Sequence, residues 1–217
     1  MKHEEFHAFS NKKFNEYSEK KREEAIEAFG CEVAKNANDL TVGELKGFLE
    51  EKMGEYFDKY HVKEVKIKEK EIKKEESDKD IIIYVPYDGN VEMLRLRPST
   101  ASDEAPKIFL KEKEIGVKVK DFASKTKEEI SEETDKIVEE LKKNLDYLKK
   151  DIEECNKELK KGLKDEAEKI KKRIEKDKEK LKEIKEIIKK WFVKTPDILF
   201  WGFKFIKDRI LFYKFVL

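Results

Sequence analysis

The sequence predicts an α+β protein with N-terminal helices, a small and mostly antiparallel sheet, a long antiparallel helical hairpin and an apolar C-terminal segment. Three observations lead to this fold class. Apolar residues follow helical spacing at both ends, a β-favouring and proline-punctuated stretch lies between them, and the composition becomes aromatic near the end. The chain therefore divides into N-terminal helices (1–61), a sheet region (62–125), a hairpin arm (126–192) and a tail (193–217).

Composition limits the classes of function. The 217 residues include 51 basic and 50 acidic side chains, so the formal net charge is only +1. A nucleic-acid-binding protein normally has a basic excess, and we expect no nucleic acid among the partners. Cys31 and Cys155 have no metal-type spacing and indicate reduced thiols in a cytosolic protein. The start lacks the apolar core of a signal peptide, and no window reaches the roughly 18 apolar residues of a membrane span.

Two helices are predicted before the sheet. The first covers residues 1–30, where aromatic and aliphatic residues are interspersed with Lys and Glu, and Gly30 can act as its C-terminal stop. The second begins near Thr41, whose hydroxyl can cap it. Glu44 lies three residues later as the partner in a capping box. Apolar residues with helical spacing follow as far as Phe57.

The sheet region is predicted from a change of period. Ile81–Val85 is apolar on both faces and predicts a central strand that ends at Pro86, followed by turn residues at Asp88–Asn90. Partly alternating patterns predict the other strands around it. These strands are Val62–Ile72, Met93–Leu96, Ile108–Lys111 and Glu114–Lys120.

From Thr126 the apolar residues step by three and four, as in a coiled coil. Asn156 and Gly162 bracket the best break and predict two antiparallel helices; one uninterrupted helix is the competing prediction. The stripe could pack on the other helix, on the sheet or on a second copy. We expect this arm to self-associate as a dimer or higher oligomer, or to bind a partner protein, through Leu141, Leu145, Leu148 and Ile152.

The tail has a different composition. Thr195 can cap a helix that Pro196 restarts, and basic residues interrupt the apolar run that follows. The tail could dock on this domain or on a partner's core, lie on a membrane surface through residues 196–217, or be an artefactual or truncated end. Its apolar helical face comprises Leu199, Phe203, Ile206, Ile210, Tyr213 and Leu217.

The sequence nominates no catalytic, cofactor or metal site. His3 and His7 would share a helical face, but no third metal ligand is indicated. There is no G-x-S-x-G elbow, and the glycines are too scattered for a phosphate loop. Arg95 and Arg97, beside Ser99 and Thr100, could hold an anion, but a salt-bridged strand edge is the favoured interpretation. We therefore expect no enzymatic activity and no cofactor.

The phrase Tyr84–Thr100, YVPYDGNVEMLRLRPST, followed by the helical arm, resembles an N-terminal module of uncharacterised bacterial and archaeal proteins. In those proteins a Y-V-P-[FY]-x-G phrase and R-P-S-T precede a two-helix arm, often ahead of TIR or nuclease effector domains in proteins that look like antiviral defence components. The likeness is carried by Tyr84, Val85, Pro86, Gly89, Leu94, Arg97, Pro98, Ser99 and Thr100. The resemblance implies a sensing, scaffolding or oligomerising module.

We expect, accordingly, a cytoplasmic and non-enzymatic interaction module, a sensor or adaptor of a prokaryotic antiviral defence system. The alternative is a membrane-associated effector that acts through its aromatic tail. A hydrolase or nuclease hidden in the sheet is the third class, and it would require a cleft with converging carboxylates or histidines.

Overall fold

The computed structural model describes residues 5–10, 12–37, 39–76, 81–100, 106–119 and 124–194. These residues form an α+β fold, as the sequence predicts. The strands are β1 (Phe6–His7), β2 (Lys66–Ile67), β3 (Lys73–Glu76), β4 (Ile81–Asp88), β5 (Lys107–Lys111) and β6 (Glu114–Val119). The helices are α1 (Phe14–Asn36), α2 (Val42–Tyr60) and α3 (Lys127–Lys194), with short 3₁₀ helices at Glu69–Glu71 and Val91–Arg95.

The strands form one antiparallel sheet with β4 at its centre. Strand β6 pairs with one edge of β4, while β2 and β3 share the other edge. Strand β5 follows β6, and the two-residue β1 pairs with β5 at the outside. The predicted central position of Ile81–Val85 is confirmed, because this stretch lies within a strand that has neighbours on both sides.

Strand β4 continues through Pro86, where the sequence predicted an end. Proline lacks only the backbone N–H and fits an extended backbone. The Pro86 carbonyl accepts a hydrogen bond from the Lys68 amide at 2.7 Å. In a strand the N–H and C=O of one residue face the same edge. The N–H that Pro86 lacks would therefore face the point where β2 ends and the Glu69–Glu71 turn begins. The ladder to β6 is untouched, because the Tyr87 amide still donates to Lys113.

Two other strand predictions are wrong. Met93–Leu96 lies mostly in the 3₁₀ helix Val91–Arg95. Asn90 caps this helix, because its side-chain oxygen accepts a hydrogen bond from the Glu92 amide at 3.1 Å. Met93 and Leu94 are both buried, and neighbouring strand residues would face opposite sides. Val62–Ile72 forms only the short strand β2 before the 3₁₀ turn interrupts it.

The N-terminal prediction is correct for α2 and wrong for the bounds of α1. Thr41 and Glu44 form the predicted capping box, with reciprocal hydrogen bonds of 2.8 and 3.3 Å. Helix α1 begins only at Phe14 and continues past Gly30 to Asn36. Phe6–His7 instead joins the sheet. Gly30 lies inside α1 and faces the Glu166 side chain of α3, and it does not end the helix.

The predicted antiparallel hairpin is wrong, because α3 is one helix of 68 residues, about 100 Å long. The two residues chosen as the break contact the rest of the protein instead. The Asn156 amide group donates to the Val62 carbonyl at 3.0 Å and accepts from the Val62 amide at 2.8 Å. A Cβ at Gly162 would lie 2.5 Å from the Ile26 side chain, so glycine lets α1 approach α3.

Helix α3 packs against two hydrophobic cores in succession. Its first part, from Val138 to Cys155, covers the sheet. Its middle part, from Leu159 to Ile174, packs with α1 and α2. We call the sheet, α1, α2 and residues 127–178 of α3 the body. The Lys178 ammonium group donates to the Leu40 carbonyl just before α2, which marks the edge of the body.

Candidate interaction surface and motif cleft

Beyond Lys178, helix α3 carries an exposed apolar stripe on what we call the projecting end, residues 179–194. Leu181, Ile184, Ile187 and Trp191 are 56, 51, 55 and 72% exposed, and Ile188 is half-buried. The spacing of Leu181, Ile184, Ile188 and Trp191 continues the stripe that is buried in the body. Large apolar side chains at coiled-coil spacing on an exposed helix are typical of a contact surface.

Polar residues surround the stripe. Lysine outnumbers glutamate in the projecting end. Lys189 and Glu186 form an exposed ion pair at 3.2 Å, one helical turn apart. Such exposed pairs contribute a few tenths of a kcal/mol to a helix. The polar flanks therefore keep the segment solvated, and the apolar stripe is its candidate contact surface.

The predicted interaction residues of the arm lie elsewhere, because Leu141, Leu145, Leu148 and Ile152 are buried in the core beneath the sheet. In this structure the chain's own sheet covers them. The predicted tail residues Leu199, Phe203, Ile206 and Ile210 lie outside the described residues. The sequence placed residues 181–191 in the same stripe but could not distinguish this exposed part from the buried part, because a 3–4 spacing is the same in both halves of the helix.

The structure places the motif residues in backbone-shaping positions. Gly89 has φ 112°, and a Cβ there would collide with the Glu64 carbonyl, so glycine is required. Pro86 lies within β4 and Pro98 is buried. The Arg97 backbone joins the motif to the start of α1: its amide donates to Lys12 at 3.0 Å and its carbonyl accepts from Phe14 at 2.9 Å.

The end of the motif is also tied to α3. Ser99 donates from its backbone amide to one Asp151 carboxylate oxygen at 2.7 Å and from its hydroxyl to the other at 2.5 Å. This two-point contact joins the R-P-S-T phrase to the helix that carries the projecting end. The motif thus connects β4, α1 and α3.

A cleft of about 640 Å³ lies beside this junction, and its lining includes Arg97. The sequence suggested an anion site from Arg95 and Arg97 together. The structure separates them, because the Arg95 guanidinium lies 4.3 Å from the centre of the Phe6 ring in a cation–π contact. Ser99 already donates both its hydrogen bonds to Asp151, whose negative charge opposes an anion. The arrangement favours a structural role for the motif.

A group of side chains with shifted pKa values lies between α1 and α2. The Tyr56 hydroxyl donates to Glu32 at 2.6 Å, and the Lys52 ammonium lies 3.1 Å from the same carboxylate. The Tyr56 hydrogen bond, followed by that of Lys52, lowers the pKa of Glu32. The same contact raises the pKa of Tyr56 to about 12. The group fastens two helices together and opens onto none of the clefts described.

The histidines and cysteines give no site in the described part of the chain. His61 forms hydrogen bonds through Nδ1 to the Phe57 and Asp58 carbonyls and stacks on the Phe57 ring. His3 lies outside the described residues. Cys31 is exposed and Cys155 is buried, and burial raises the pKa of the Cys155 thiol. Among the residues described, no cluster of three or more His, Cys, Asp or Glu could hold a metal ion.

None of the helices within the described ranges combines the length and the apolar character needed to cross a bilayer. Comparison of the chain with protein families, with curated proteins and with solved structures found no match.

Proposed function

We propose that this protein is a non-enzymatic interaction module whose contact region is the projecting end of α3 with the tail attached to it. The observation that carries the proposal is the exposed stripe of Leu181, Ile184 and Ile187 on a helix held away from the body. The body supplies a rigid base, because α3 is anchored in two cores before it emerges.

The energetics support a binding role for this surface. The projecting end continues a helix that begins in the body, and its stripe residues belong to neither of the two cores. Fully burying one Leu or Ile side chain contributes about 1.5–3 kcal/mol. Contact across several stripe residues would therefore stabilise the projecting end as well as join it to a partner.

The proposed partner is a second copy of the chain, with a different protein as the alternative partner. The resemblance of Tyr84–Thr100 to modules that precede effector domains supports a sensor or adaptor role in a prokaryotic defence system. Two unpaired cysteines support a reducing, cytoplasmic location. The competing role, a membrane-associated effector acting through the tail, gains support from the lysine excess of the projecting end, which suits an anionic surface.

Sedimentation equilibrium of the full chain tests this function. Wild type is expected to self-associate with increasing concentration, and L181Q/I184Q to shift the dissociation constant upward by at least tenfold, since two apolar contacts are lost. The control K182Q/E183Q changes two neighbouring polar positions without changing net charge, and should behave as wild type. Circular dichroism checks that all three remain helical.

A wild type that stays monomeric over the whole concentration range would refute self-association. An equal weakening in the control would show that the stripe is not the contact.

A further inference from the structure

We infer that the exposed stripe of one copy lies in a groove between α1 and α3 of a second copy, and that two copies exchange this contact about a two-fold axis. The inference deepens the proposed function and rests on it, because it names the surface of the second copy that receives the stripe. The positions of the groove and the stripe along one helix, their charges and the area they offer support this arrangement.

A groove of about 580 Å³ runs between α1 and α3. Ile26, Gly30 and Ala34 line it at successive turns of α1, and Ile170 lines it from α3. Gly30 and Ala34 carry at most a methyl group and so leave room between the helices, while the half-buried Ile26 supplies apolar surface. A groove of this kind suits the apolar face of an amphipathic helix.

The groove and the exposed stripe lie on the same side of α3. Three residues of α3 line the groove, and 18 residues after each of them the chain has a residue of the stripe. The pairs are Glu166 and Ile184, Ile170 and Ile188, and Arg173 and Trp191. Eighteen residues make five full turns of an α-helix, about 27 Å. Because α3 is one uninterrupted helix, the groove and the stripe point in the same direction.

This spacing lets two copies use both surfaces at once. When two α3 helices run antiparallel with a two-fold axis between Lys178 and Glu179, Ile188 of each copy lies level with Ile170 of the other. The same rotation brings Trp191 level with Glu166. It also brings Ile184 level with Arg173, whose aliphatic stem can pack on an apolar side chain. A two-fold axis repeats every contact, so both stripes and both grooves are covered.

The exchanged contact also suits the area that a stable dimer needs. Pairing stripe against stripe would bury only the few apolar side chains that are exposed at the projecting end. Stable interfaces bury about 800 Å² on each partner. In the exchanged arrangement each copy contributes its stripe and its groove, so α1 joins the interface as well as α3. The groove therefore brings more surface of each copy into contact than stripe-to-stripe pairing does.

The charges of the two surfaces are complementary. The lining of the groove includes Glu23, Glu27 and Glu166 and a single basic residue, Arg173; the Glu166 carboxylate also lies 3.1 Å from the Lys169 ammonium. The projecting end carries six lysines and three glutamates. Stripe-to-stripe pairing would bring two lysine-rich segments together, whereas the groove places each of them beside acidic side chains, which favours the groove.

Thiol cross-linking between differently labelled full chains tests this contact, with the exposed Cys31 as the natural probe in the groove. Wild type with ¹⁴N is mixed with ¹⁵N-labelled Cys31→Ser/Lys190→Cys and treated with a short bismaleimide, and linked peptides are identified by mass spectrometry. Gly30 faces Glu166, and the two-fold axis brings Glu166 level with Trp191 of the other copy. Cys31 is therefore expected to link to the thiol introduced at position 190 of the other isotope.

The matched control is ¹⁵N-labelled Cys31→Ser/Lys180→Cys. Its new thiol lies near the two-fold axis, about 15 Å along the helix from position 190, and should link to Cys31 at least tenfold less.

The outcomes separate the groove from the proposed function. A protein that self-associates without Cys31 favouring position 190 over position 180 would overturn the inference and leave self-association standing. Links between two introduced thiols at position 190, in place of links to Cys31, would assign the contact to stripe-to-stripe pairing and likewise overturn the groove. A chain that stays monomeric in sedimentation equilibrium would refute both self-association and the inference.

Charge reversal in the groove gives a second measurement. Glu23→Lys/Glu27→Lys should raise the dissociation constant of the full chain by about fivefold at low salt, because lysines then meet lysines. The control Glu50→Lys/Glu51→Lys makes the same change of net charge at exposed positions of α2, and should raise it by about twofold at most. The difference should shrink in about 1 M salt, where the Debye length is about 3 Å. Equal weakening by the two variants, with both folded by circular dichroism, would overturn the inference.

Discussion

From Val138 to Ile174 the apolar stripe of α3 is buried against the sheet and then against α1 and α2, whereas from Leu181 to Trp191 it is at least partly exposed. The two stretches share their spacing and their Lys- and Glu-rich flanks. They differ in whether the sheet or the helices α1 and α2 pack against the stripe. The comparison teaches that one helical pattern forms core in one place and an exposed apolar surface in another, and that the surrounding elements decide which.

The largest expected difference between the two stretches is in stability. Leu148→Ala should lower the free energy of unfolding by about 2–5 kcal/mol, because it leaves a cavity beneath the sheet. Leu181→Ala should lower it by less than about 1 kcal/mol, since Leu181 contributes to neither core. Urea denaturation followed by circular dichroism measures both. Equal losses would break the comparison and show that Leu181 is covered as deeply as a core residue.

A smaller effect is expected where α3 is fastened to the body by hydrogen bonds. Asn156→Ala leaves the Val62 amide and carbonyl without their side-chain partner and should cost about 1–3 kcal/mol of unfolding free energy. The control on the projecting end is Glu186→Ala, which removes only an exposed ion pair and should cost less than about 0.5 kcal/mol. A control as costly as Asn156→Ala would argue against the difference between body and projecting end.

The smallest expected effect is on the pH dependence of the body. The folded-state pKa of Glu32 is below its ordinary value of 4.5, so its contribution to stability is present above that pH and is lost as the pH falls. Tyr56→Phe removes the largest cause of the lowered pKa. The variant should therefore lose less stability than wild type between about pH 5 and pH 3, as measured by urea denaturation across this range.

The control for this experiment is the helicity of the projecting end. Tyr56→Phe should leave it unchanged, since Glu32 and Tyr56 lie on α1 and α2. A Tyr56→Phe variant with the same acid dependence as wild type would show that the hydrogen bond to Glu32 does not control the titration.

Local chemistry made part of this fold predictable. The capping box at Thr41 and Glu44 depends on residues three apart, and the central strand at Ile81–Val85 is apolar on both faces; both predictions are confirmed. The α+β class followed from the same local patterns. These features need no knowledge of distant residues, which is why the sequence alone was enough.

Predictions that depended on distant contacts were wrong. Asn156 and Gly162 have turn-type chemistry, but Val62 and Ile26 determine how they are used. The two-residue strand β1 exists only because β5 offers an edge to pair with. For the candidate surface, periodicity identified the stripe along α3, but only the packing of the sheet and the helices shows that its exposed part begins after the body ends.

Because α3 is shared by both cores, the sheet cannot separate from the α1–α2 pair unless the helix bends or melts between Cys155 and Leu159. The body should therefore unfold in a single cooperative transition. The same continuity means that a long section of α3 is held in the body and a short section extends beyond it. A torque applied by a partner near Trp191 would act on both cores at once, without a hinge in between to absorb it.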